Sequence, residues 1–254
     1  MDFFSERQFQ ANKNFQNEEL LAVAKSWHDM SRRHNYQYMF EVLGLPIIQD
    51  PQDIVMLQEL IWRHKPDVVI ETGIARGGSL VLSASLLALF GYIDMLKSDT
   101  VKIRKVIGID IEIRKENLDA ISNHPLSQLI TLVEGSSTDS STLGRVKELI
   151  PPGSSVMVIL DSNHTHEHVA AELLTYCDLV TTYMPLVVMD TGIDFADSST
   201  LNPNRNWGKG NSPYSAIKEF LEKPIGRQFE TSREIETRHL ITCAPEGVLI
   251  RTAL

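Results

Sequence analysis

Residues 68–80 read VVIETGIARGGSL, an apolar strand that runs straight into a glycine-rich turn and then into an apolar helix. Gly73 permits a sharp turn and a close approach of the backbone to a ligand, and Gly77 and Gly78 remove side chains from the loop. Ser79 lies at the helix start, where N–H groups without partners attract carboxylate or phosphate. The segment predicts the entry to a nucleotide-type cofactor site.

The spacing of the glycines narrows the kind of ligand. Positions 73, 77 and 78 do not fit the G-x-G-x-x-G dinucleotide pattern, and the sequence has no G-x-x-x-x-G-K-[ST] phosphate loop. Glu71, just before the turn, would repel a phosphate but favours an amine or a sulfonium. S-Adenosylmethionine carries both groups, so Glu71, Gly73, Gly77 and Ser79 are candidate contacts for it. A purely structural strand-to-helix turn is the alternative.

The composition of the chain limits the kinds of partner that it is expected to bind. The 254 residues include 24 basic and 33 acidic side chains, a net charge of −9, which disfavours a nucleic-acid partner. No apolar run has the length of a membrane helix and the N-terminus lacks a signal pattern, so we expect a cytoplasmic protein without a membrane partner. Cys177 and Cys243 lack C-x-x-C spacing and are expected to be buried thiols. The expected partner is a small-molecule substrate.

From residue 65 onward, short apolar strands alternate regularly with helices. Strands are predicted at 67–71, 105–110, 129–133, 156–160 and 184–189, with helices at 78–90, 115–123, 140–149 and 166–175. This alternation predicts a doubly wound α/β fold, in which helices cover both faces of a mostly parallel sheet. Ligands of such sheets bind at the carboxyl ends of the strands, so the site residues are expected there.

Residues 1–64 are predicted to be an N-terminal helical extension of a single domain, 1–254. Within it, residues 6–42 are predicted as helical and are rich in aromatic rings, and a further helix is predicted at 53–64. We interpret the extension either as a cap packed on the cofactor-binding core, 65–254, or as a lid over a substrate. Its apolar faces exceed what one sheet needs to cover, which predicts a homo-oligomer.

The C-terminal part of the chain has a different pattern. Residues 191–213 are rich in Gly, Asn, Ser, Pro and Asp without an apolar period, and we expect this loop to close over a substrate. A helix is predicted at 213–223. Residues 240–243 and 248–250 flank a turn and are predicted to pair as a hairpin.

An acid stands at or just after the end of each of the five predicted strands. The acids are Glu71, Asp110, Glu134, Asp161 and Asp190. One such residue is commonly a helix cap or a turn residue, but five in succession favour a ligand site. Asp110 is placed to accept hydrogen bonds from both ribose hydroxyls of a nucleotide-type ligand. Ser137 is placed either to contact an adenine edge or to cap a helix.

The segment LDSNHTHEH at 160–168 is the densest group of chemically active side chains. Its H-x-H-x-H spacing does not match a zinc site, and a structural role is expected for His166 and His168. Asp161 and Asp190 follow neighbouring strands and can share Mg²⁺, which needs one or two carboxylates. His164, three residues after Asp161, is a candidate general base.

Together these segments resemble the cephalosporin hydroxylase and rhamnosyl O-methyltransferase family. The matching motifs are GLPIIQ at 44–49, KPD at 65–67, ETGIARGGS at 71–79, GSS at 135–137, LDSNHTHEH at 160–168 and WGKGNSP at 207–213. The resemblance implies a seven-stranded, Rossmann-like class I methyltransferase sheet that binds S-adenosylmethionine. It also implies methylation of hydroxyl groups on natural products or sugars.

The resemblance also implies roles for individual residues. It places Glu71, Gly73 and Ser79 at the methionine end of the cofactor, Asp110 at the ribose, Ser137 at the adenine, and Asp161 and His164 at the reaction centre. Related enzymes usually have lysine as the base where His164 stands.

One position departs from the pattern of the related metal-dependent enzymes. These enzymes often place two oxygen or amide ligands side by side after the fifth strand, whereas Thr191, a poor ligand, follows Asp190 here. Asp194 and Asp197 are the candidates for the missing ligand.

The predicted function is transfer of a methyl group from S-adenosylmethionine to a hydroxyl of a small natural-product or sugar acceptor, assisted by Mg²⁺. One alternative is a hydroxylase, in which iron would be held by two histidines and one carboxylate. The other is a noncatalytic S-adenosylmethionine-binding subunit that presents its aromatic extension to a partner protein.

Overall fold

The computed structural model describes residues 2–97, 102–198, 201 and 203–252. The helices are α1 (Phe3–Phe15), α2 (Glu18–Arg33), α3 (Pro51–His64), α4 (Gly78–Lys97), α5 (Lys115–Ser122), α6 (Ser140–Leu149), α7 (His166–Tyr176), α8 (Pro213–Glu222) and α9 (Arg233–Arg238). The strands are β1 (Phe40–Val42), β2 (Leu45–Ile47), β3 (Val68–Thr72), β4 (Lys105–Asp110), β5 (Ile130–Glu134), β6 (Val156–Leu160), β7 (Pro185–Val188), β8 (Phe229–Thr231) and β9 (Val248–Arg251).

The main sheet has seven strands in the order β5-β4-β3-β6-β7-β9-β8. The five strands from β5 to β7 pair in parallel, and β9 runs antiparallel to both of its neighbours. The predicted mostly parallel, seven-stranded α/β sheet is confirmed.

Both faces of the sheet are buried, and alternate residues of each strand supply the two cores. In β3, Val69 faces the core formed with α3 and α4, whereas Val68 and Ile70 face the core formed with α7 and α8. Near-continuous apolar strands such as β6 follow from this arrangement, because neither side of the strand meets water.

The order of the strands also determines where the ligand site lies. The chain proceeds from β3 to β4 and β5 on one side and then crosses to β6 on the other, so β3 and β6 are adjacent although far apart in sequence. Ligands of such sheets bind where the order reverses, outside the carboxyl ends of the strands. The turn after β3 and the acid after β6 therefore meet.

Most predicted elements of the core begin and end within two residues of the observed ones, but α4 continues to Lys97. Among the described residues, α4 is the one helix long and apolar enough to cross a bilayer, judged by length and composition. The expectation from the sequence that no apolar segment has the length of a membrane helix was therefore wrong. One side of α4, including Leu80 and Leu87, is buried against the sheet, and a core helix meets the same criterion.

The prediction of helix over residues 6–42 was wrong in two places. α1 ends at Phe15, and Asn17 begins α2 by accepting a hydrogen bond from the N–H of Leu20 through its side chain, which interrupts the helix. The last predicted residues form β1, which pairs with β2 across a turn where Gly44 has φ +90°. This turn orients the segment that leads to Gln49.

The predicted hairpin of residues 240–243 with 248–250 was also wrong. β9 pairs with β7 and with β8, a strand that the sequence did not predict. The segment before the turn is held by α3 instead, because the Asp53 carboxylate accepts hydrogen bonds from the Thr242 hydroxyl and the Cys243 N–H. Within the predicted loop 191–213, residues Thr191–Phe195 form a 3-10 helix.

Candidate active site

A cavity of about 690 Å³, here called the cofactor cavity, opens at the carboxyl ends of β3, β4 and β6. The predicted site residues in its lining are Gly73, Gly77, Ser79, Asp110, Asp161, His164 and Asp190. The structure thus brings together residues from four separate segments, at the ends of β3, β4, β6 and β7. Glu71 and Ser137 lie outside the lining.

The glycines of the turn after β3 are required by close packing. A Cβ atom on Gly73 would lie 2.0 Å from the backbone oxygen of Asp161, and the residue has φ +83°. A Cβ atom on Gly77, with φ +87°, would lie 2.6 Å from the side chain of Ile121. These contacts leave no room for larger residues, and they seat the turn against the tip of β6.

Glu71 lies beneath the cavity. Its carboxylate accepts a hydrogen bond from the Ser79 hydroxyl, and its second oxygen, Oε2, is buried without a hydrogen-bond partner in the described part of the chain. Burial raises the pKa of Glu71 to about 7. Glu71 therefore reaches the cavity through Ser79, and a nearby positive charge would favour its ionised form.

Asp110 and Ser137 occupy different surroundings. The carboxylate of Asp110 accepts hydrogen bonds from the backbone N–H groups of Ile74 (3.0 Å) and Glu112 (3.3 Å), which fixes it at the edge of the cavity. The hydroxyl of Ser137 lies 3.2 Å from Nε2 of His168, away from the cavity. Asp110 is thus placed to meet a ligand in the cavity, and Ser137 contacts His168 instead.

Asp161, His164 and Asp190 form the reactive cluster. One ligand atom from each of the three lies within 4.8 Å of the others, and Nε2 of His164 is 3.5 Å from Asp190. Burial raises the pKa of Asp161 well above its ordinary value, and the carboxylates of Asp190 and Glu71 add to the shift. Carboxylates crowded in this way favour a cation between them.

Two residues that the sequence did not single out hold this cluster in place. Nε2 of Gln49 donates a hydrogen bond to Asp161 at 3.0 Å, and Arg32 of α2 lies 3.6 Å from Asp190. Gln49 is buried, and its Oε1 has no partner in the described part of the chain. Gln49 lies within the GLPIIQ motif, but its distance in sequence from the other site residues matches no known ligand pattern. Arg32 is brought to the site only by tertiary packing.

The candidates for a third metal ligand beside Asp190 are engaged elsewhere. Asp194 accepts hydrogen bonds from the Ser212 hydroxyl and the N–H of Gly210, and Asp197 lies 3.8 Å from Arg33. Neither belongs to the cluster found among the described residues. In this structure Asp194 closes its own loop and Asp197 lies beside Arg33 of α2, so a third protein ligand for a metal stays a prediction.

The remaining histidines of the segment have structural contacts, as predicted. His166 bonds to Ser215 and Glu219 of α8, and His168 lies between Ser137 and Ser162. The cluster therefore contains one histidine and two carboxylates in the described residues, not the two histidines that the hydroxylase alternative needs.

Part of the loop 191–213 covers the cluster. The ring of Trp207 meets that of His164 edge to face, with centroids 4.7 Å apart, and the guanidinium of Arg205 lies over the Trp207 ring, 4.8 Å from its centre. Arg205 also lines the cofactor cavity. These contacts place the loop where closure over a substrate was predicted, and the closure itself stays a prediction.

The fold and the site together define a methyltransferase-type α/β protein. Its features are a mostly parallel sheet, a glycine turn after β3, an acid at the end of β4 and an acidic cluster that begins after β6. The chain belongs to the rhamnosyl O-methyltransferase/CmcI family, whose model matches residues 34–252. This membership confirms the predicted enzyme class, an S-adenosylmethionine-dependent methyltransferase. The predicted family resemblance is confirmed as well.

Individual relatives agree with this assignment. The chain is 28% identical to a rhamnosyl O-methyltransferase of Mycobacterium bovis strain BCG over 91% of this chain and 85% of the relative. A solved structure of cmcI-D160 with Mg and SAM has a TM-score of 0.55 at 18% identity, covering 85% of this chain and 78% of that one. An O-methyltransferase from Bacillus cereus with SAH has a TM-score of 0.51 at 12% identity, covering 82% and 81%. The two structures establish the likeness of fold.

Proposed function

We propose that this protein transfers the methyl group of S-adenosylmethionine to a hydroxyl of a small-molecule acceptor, a natural product or a sugar. The observation that carries the proposal is the position of Asp161, which lines the cofactor cavity and belongs to the cluster with His164 and Asp190. A bound cofactor and the group that accepts its methyl would thus meet at one point of the sheet.

The cavity fits S-adenosylmethionine. The close-packed glycines hold the turn at the wall of the cavity, and Asp110 lines the same space. Glu71 is buried and Asp161 is half-buried, and the pKa of each carboxyl is raised, so a positive ligand would stabilise their ionised forms. When bound, the cofactor supplies an activated methyl group, whose C–S bond breaks as the new C–O bond forms.

The cluster fits Mg²⁺. Asp161 and Asp190 offer the carboxylate oxygens that this ion prefers, with water and acceptor oxygens free to complete its coordination. Bound there, Mg²⁺ would lower the pKa of the acceptor hydroxyl. Gln49 orients the Asp161 carboxylate, and Arg32 occupies the outer side of Asp190.

His164 is the proposed general base. Its ring is held between Asp190 and Trp207, so its position is fixed at the edge of the cavity. In this role it takes the proton of the acceptor hydroxyl as the oxygen bonds to the methyl carbon. Most of the rate enhancement is assigned to positioning of the two reactants, because methyl transfer is an in-line displacement.

We expect Asp161→Asn and Asp190→Asn to lose Mg²⁺-dependent turnover while binding of S-adenosylhomocysteine survives. His164→Ala should lower the rate roughly 10²–10⁴-fold, the range for loss of a general base. Formation of S-adenosylhomocysteine is measured over a panel of hydroxylated acceptors, with and without a chelator.

Asp119→Asn and His34→Ala, which change exposed residues of the same types, serve as matched controls and should keep full turnover. If a chelator leaves turnover unchanged, the proposed role of Mg²⁺ is wrong. If His164→Ala turns over at the normal rate, the proposed role of His164 as general base is wrong. A protein that binds the cofactor but transfers no methyl group to any acceptor would overturn the proposed reaction.

A further inference from the structure

The two carboxylates of the reactive cluster are held by side chains of different charge. Asp161 accepts a hydrogen bond from the neutral amide of Gln49 at 3.0 Å. Asp190 lies 3.6 Å from the guanidinium of Arg32, which belongs to α2 of the N-terminal extension. The amide adds no charge beside Asp161, whereas the guanidinium, which stays protonated in proteins, places a full positive charge beside Asp190.

Both oxygens of the Asp190 carboxylate face a basic side chain. Oδ1 lies 3.6 Å from Nη1 of Arg32, and Oδ2 lies 3.5 Å from Nε2 of His164. Distances of this length are electrostatic contacts and not short hydrogen bonds. A divalent cation that takes Asp190 as a ligand therefore has to share this carboxylate with Arg32.

Arg32 is fixed in this position from its other side. Its Nη2 lies 3.4 Å from the carboxylate of Asp50, a residue that is 1% exposed and directly precedes α3. Its Nε donates a hydrogen bond to Nε2 of His28 at 3.0 Å. If Arg32 moved away, the buried charge of Asp50 would be less compensated, which is costly. The guanidinium is therefore held near Asp190 when a cation arrives.

The surroundings of this ion pair make its charges effective. The side chains of Arg32 and Asp190 are 25% and 21% exposed, so solvent screens them less than it screens charges on an open surface. Met189, the residue before Asp190, is apolar and 1% exposed. Among the described residues, the cluster offers a cation two carboxylates and one imidazole. The positive charge of Arg32 cancels half of the negative charge that two ionised carboxylates provide.

We propose that Arg32 sets the cation affinity of the reactive cluster by competing with Mg²⁺ for the charge of Asp190. The inference rests on the Mg²⁺ site of the proposed function and adds a residue of the N-terminal extension to it. Arg32 acts on the cation through Asp190, so it is a positioning residue. It holds the Asp190 carboxylate in place and at the same time weakens the attraction of this carboxylate for the cation.

The test is the binding of Mn²⁺, which takes the same oxygen ligands as Mg²⁺, to the full chain with S-adenosylhomocysteine present. Electron paramagnetic resonance measures the free Mn²⁺ after bound metal has been removed with a chelator. We expect Arg32→Gln to bind Mn²⁺ at least about tenfold more tightly than the wild-type protein does, because the opposing charge is gone. If Arg32 merely supported Asp190, the same variant would bind Mn²⁺ more weakly.

Two variants serve as controls. Arg32→Lys keeps the positive charge and should bind Mn²⁺ as the wild-type protein does. Arg33→Gln removes the same charge from the next position of α2, where the side chain is 49% exposed and lies 3.8 Å from Asp197, outside the cluster. This variant should also leave the Mn²⁺ affinity unchanged. Unchanged binding of S-adenosylhomocysteine shows that each variant is folded.

A second background covers the case in which Arg32→Gln does not fold because Asp50 has lost its partner. Arg32→Gln/Asp50→Asn removes the buried acid together with the arginine, and Asp50→Asn alone is its reference. The double variant should again bind Mn²⁺ at least about tenfold more tightly than its reference.

Equal or weaker Mn²⁺ binding after the loss of Arg32 would overturn the proposal. Tighter binding by Arg33→Gln or by Arg32→Lys would overturn it too, because the effect would then not come from the charge at this position. Failure of the proposed function gives a different result: Arg32→Gln binds Mn²⁺ more tightly as expected, but no acceptor receives a methyl group from S-adenosylmethionine. Absence of Mn²⁺ binding from every protein would overturn both the inference and the proposed metal site.

Discussion

Glu71 combines two properties that the sequence does not reveal together. It stands at the end of a fully buried strand, and it is a carboxylic acid with one oxygen unpartnered among the described residues. An ionised carboxylate in such a position is destabilising, so the folded protein holds the proton more tightly than the unfolded chain does. The same property makes Glu71 responsive to a cationic ligand nearby.

We expect Glu71→Gln to stabilise the ligand-free protein above neutral pH. The pKa of Glu71 rises from 4.5 to about 7 on folding, so its stabilising contribution is complete below 4.5 and is lost as the pH rises through about 7. The shift corresponds to about 3 kcal/mol, an upper bound for the gain of the variant at alkaline pH.

Urea unfolding at about pH 5 and about pH 8 measures this difference. Glu116→Gln, a change of an exposed acid, is the control and should leave the pH dependence of wild type nearly unchanged. If Glu71→Gln loses as much stability between the two pH values as wild type does, the assigned role of Glu71 is wrong.

At the scale of elements, the segment that precedes β9 shows how a buried side chain overrides a local pattern. The alternation at 240–243 favours a strand, but Asp53 of α3 binds the backbone and the hydroxyl of this segment. Burial raises the pKa of Asp53 to about 6. The bound segment forms one wall of a cavity of about 470 Å³ that lies between α2 and the 3-10 helix Thr191–Phe195 and is also lined by Asp190.

We expect Asp53→Ala to release the segment 240–245. Loss of hydrogen bonds to a buried carboxylate should reduce the free energy of unfolding by about 2 kcal/mol. Hydrogen exchange should become faster at the amides of Cys243 and Ala244, while the amides of β3 stay protected. Asp53→Asn, which keeps one acceptor oxygen, should have a smaller effect. Unchanged exchange in this segment would contradict the anchoring role.

On the scale of the whole molecule, the N-terminal extension is tied to the reactive cluster. Arg32 and His28 of α2 both contact the buried Asp50, and Arg32 continues to Asp190. At the same time the outer side of the extension is strongly apolar, with Phe4 70% and Phe9 64% exposed. The contacts on the inner side of the extension thus connect it to the reactive cluster. The outer face has exposed apolar surface that would be buried in an oligomer.

We expect the protein to form a homo-oligomer through this outer face. Light scattering across micromolar concentrations should give a mass above that of one chain, and Phe9→Glu should shift the population toward the monomer. Leu118→Glu, an exposed apolar position on α5, is the matched control and should leave the assembly intact. A monomeric wild-type protein at all these concentrations would refute the prediction.

The core of the fold could be predicted because its signals are local. Each of these elements is determined by the residues of its own segment. They are the apolar strands of five or six residues, the helices of matching length and the glycine turn at 73–78. The parallel sheet follows from the alternation of strands and helices. The acids after the strands were found for the same reason, since parallel strands bring their carboxyl ends to one edge.

The tertiary structure decided what depends on distant partners. β8 has three residues and becomes a strand through pairing with β9, and Ser137 contacts His168 instead of the cavity. Gln49 and Arg32 reach the cluster across more than a hundred positions of sequence, which no spacing records. The sequence by itself determined the sheet, the glycine turn and the acids at its edge, because these follow from local propensity and period. Packing between segments decided which side chains meet at the site, because burial and hydrogen bonding act between atoms that the chain order keeps apart.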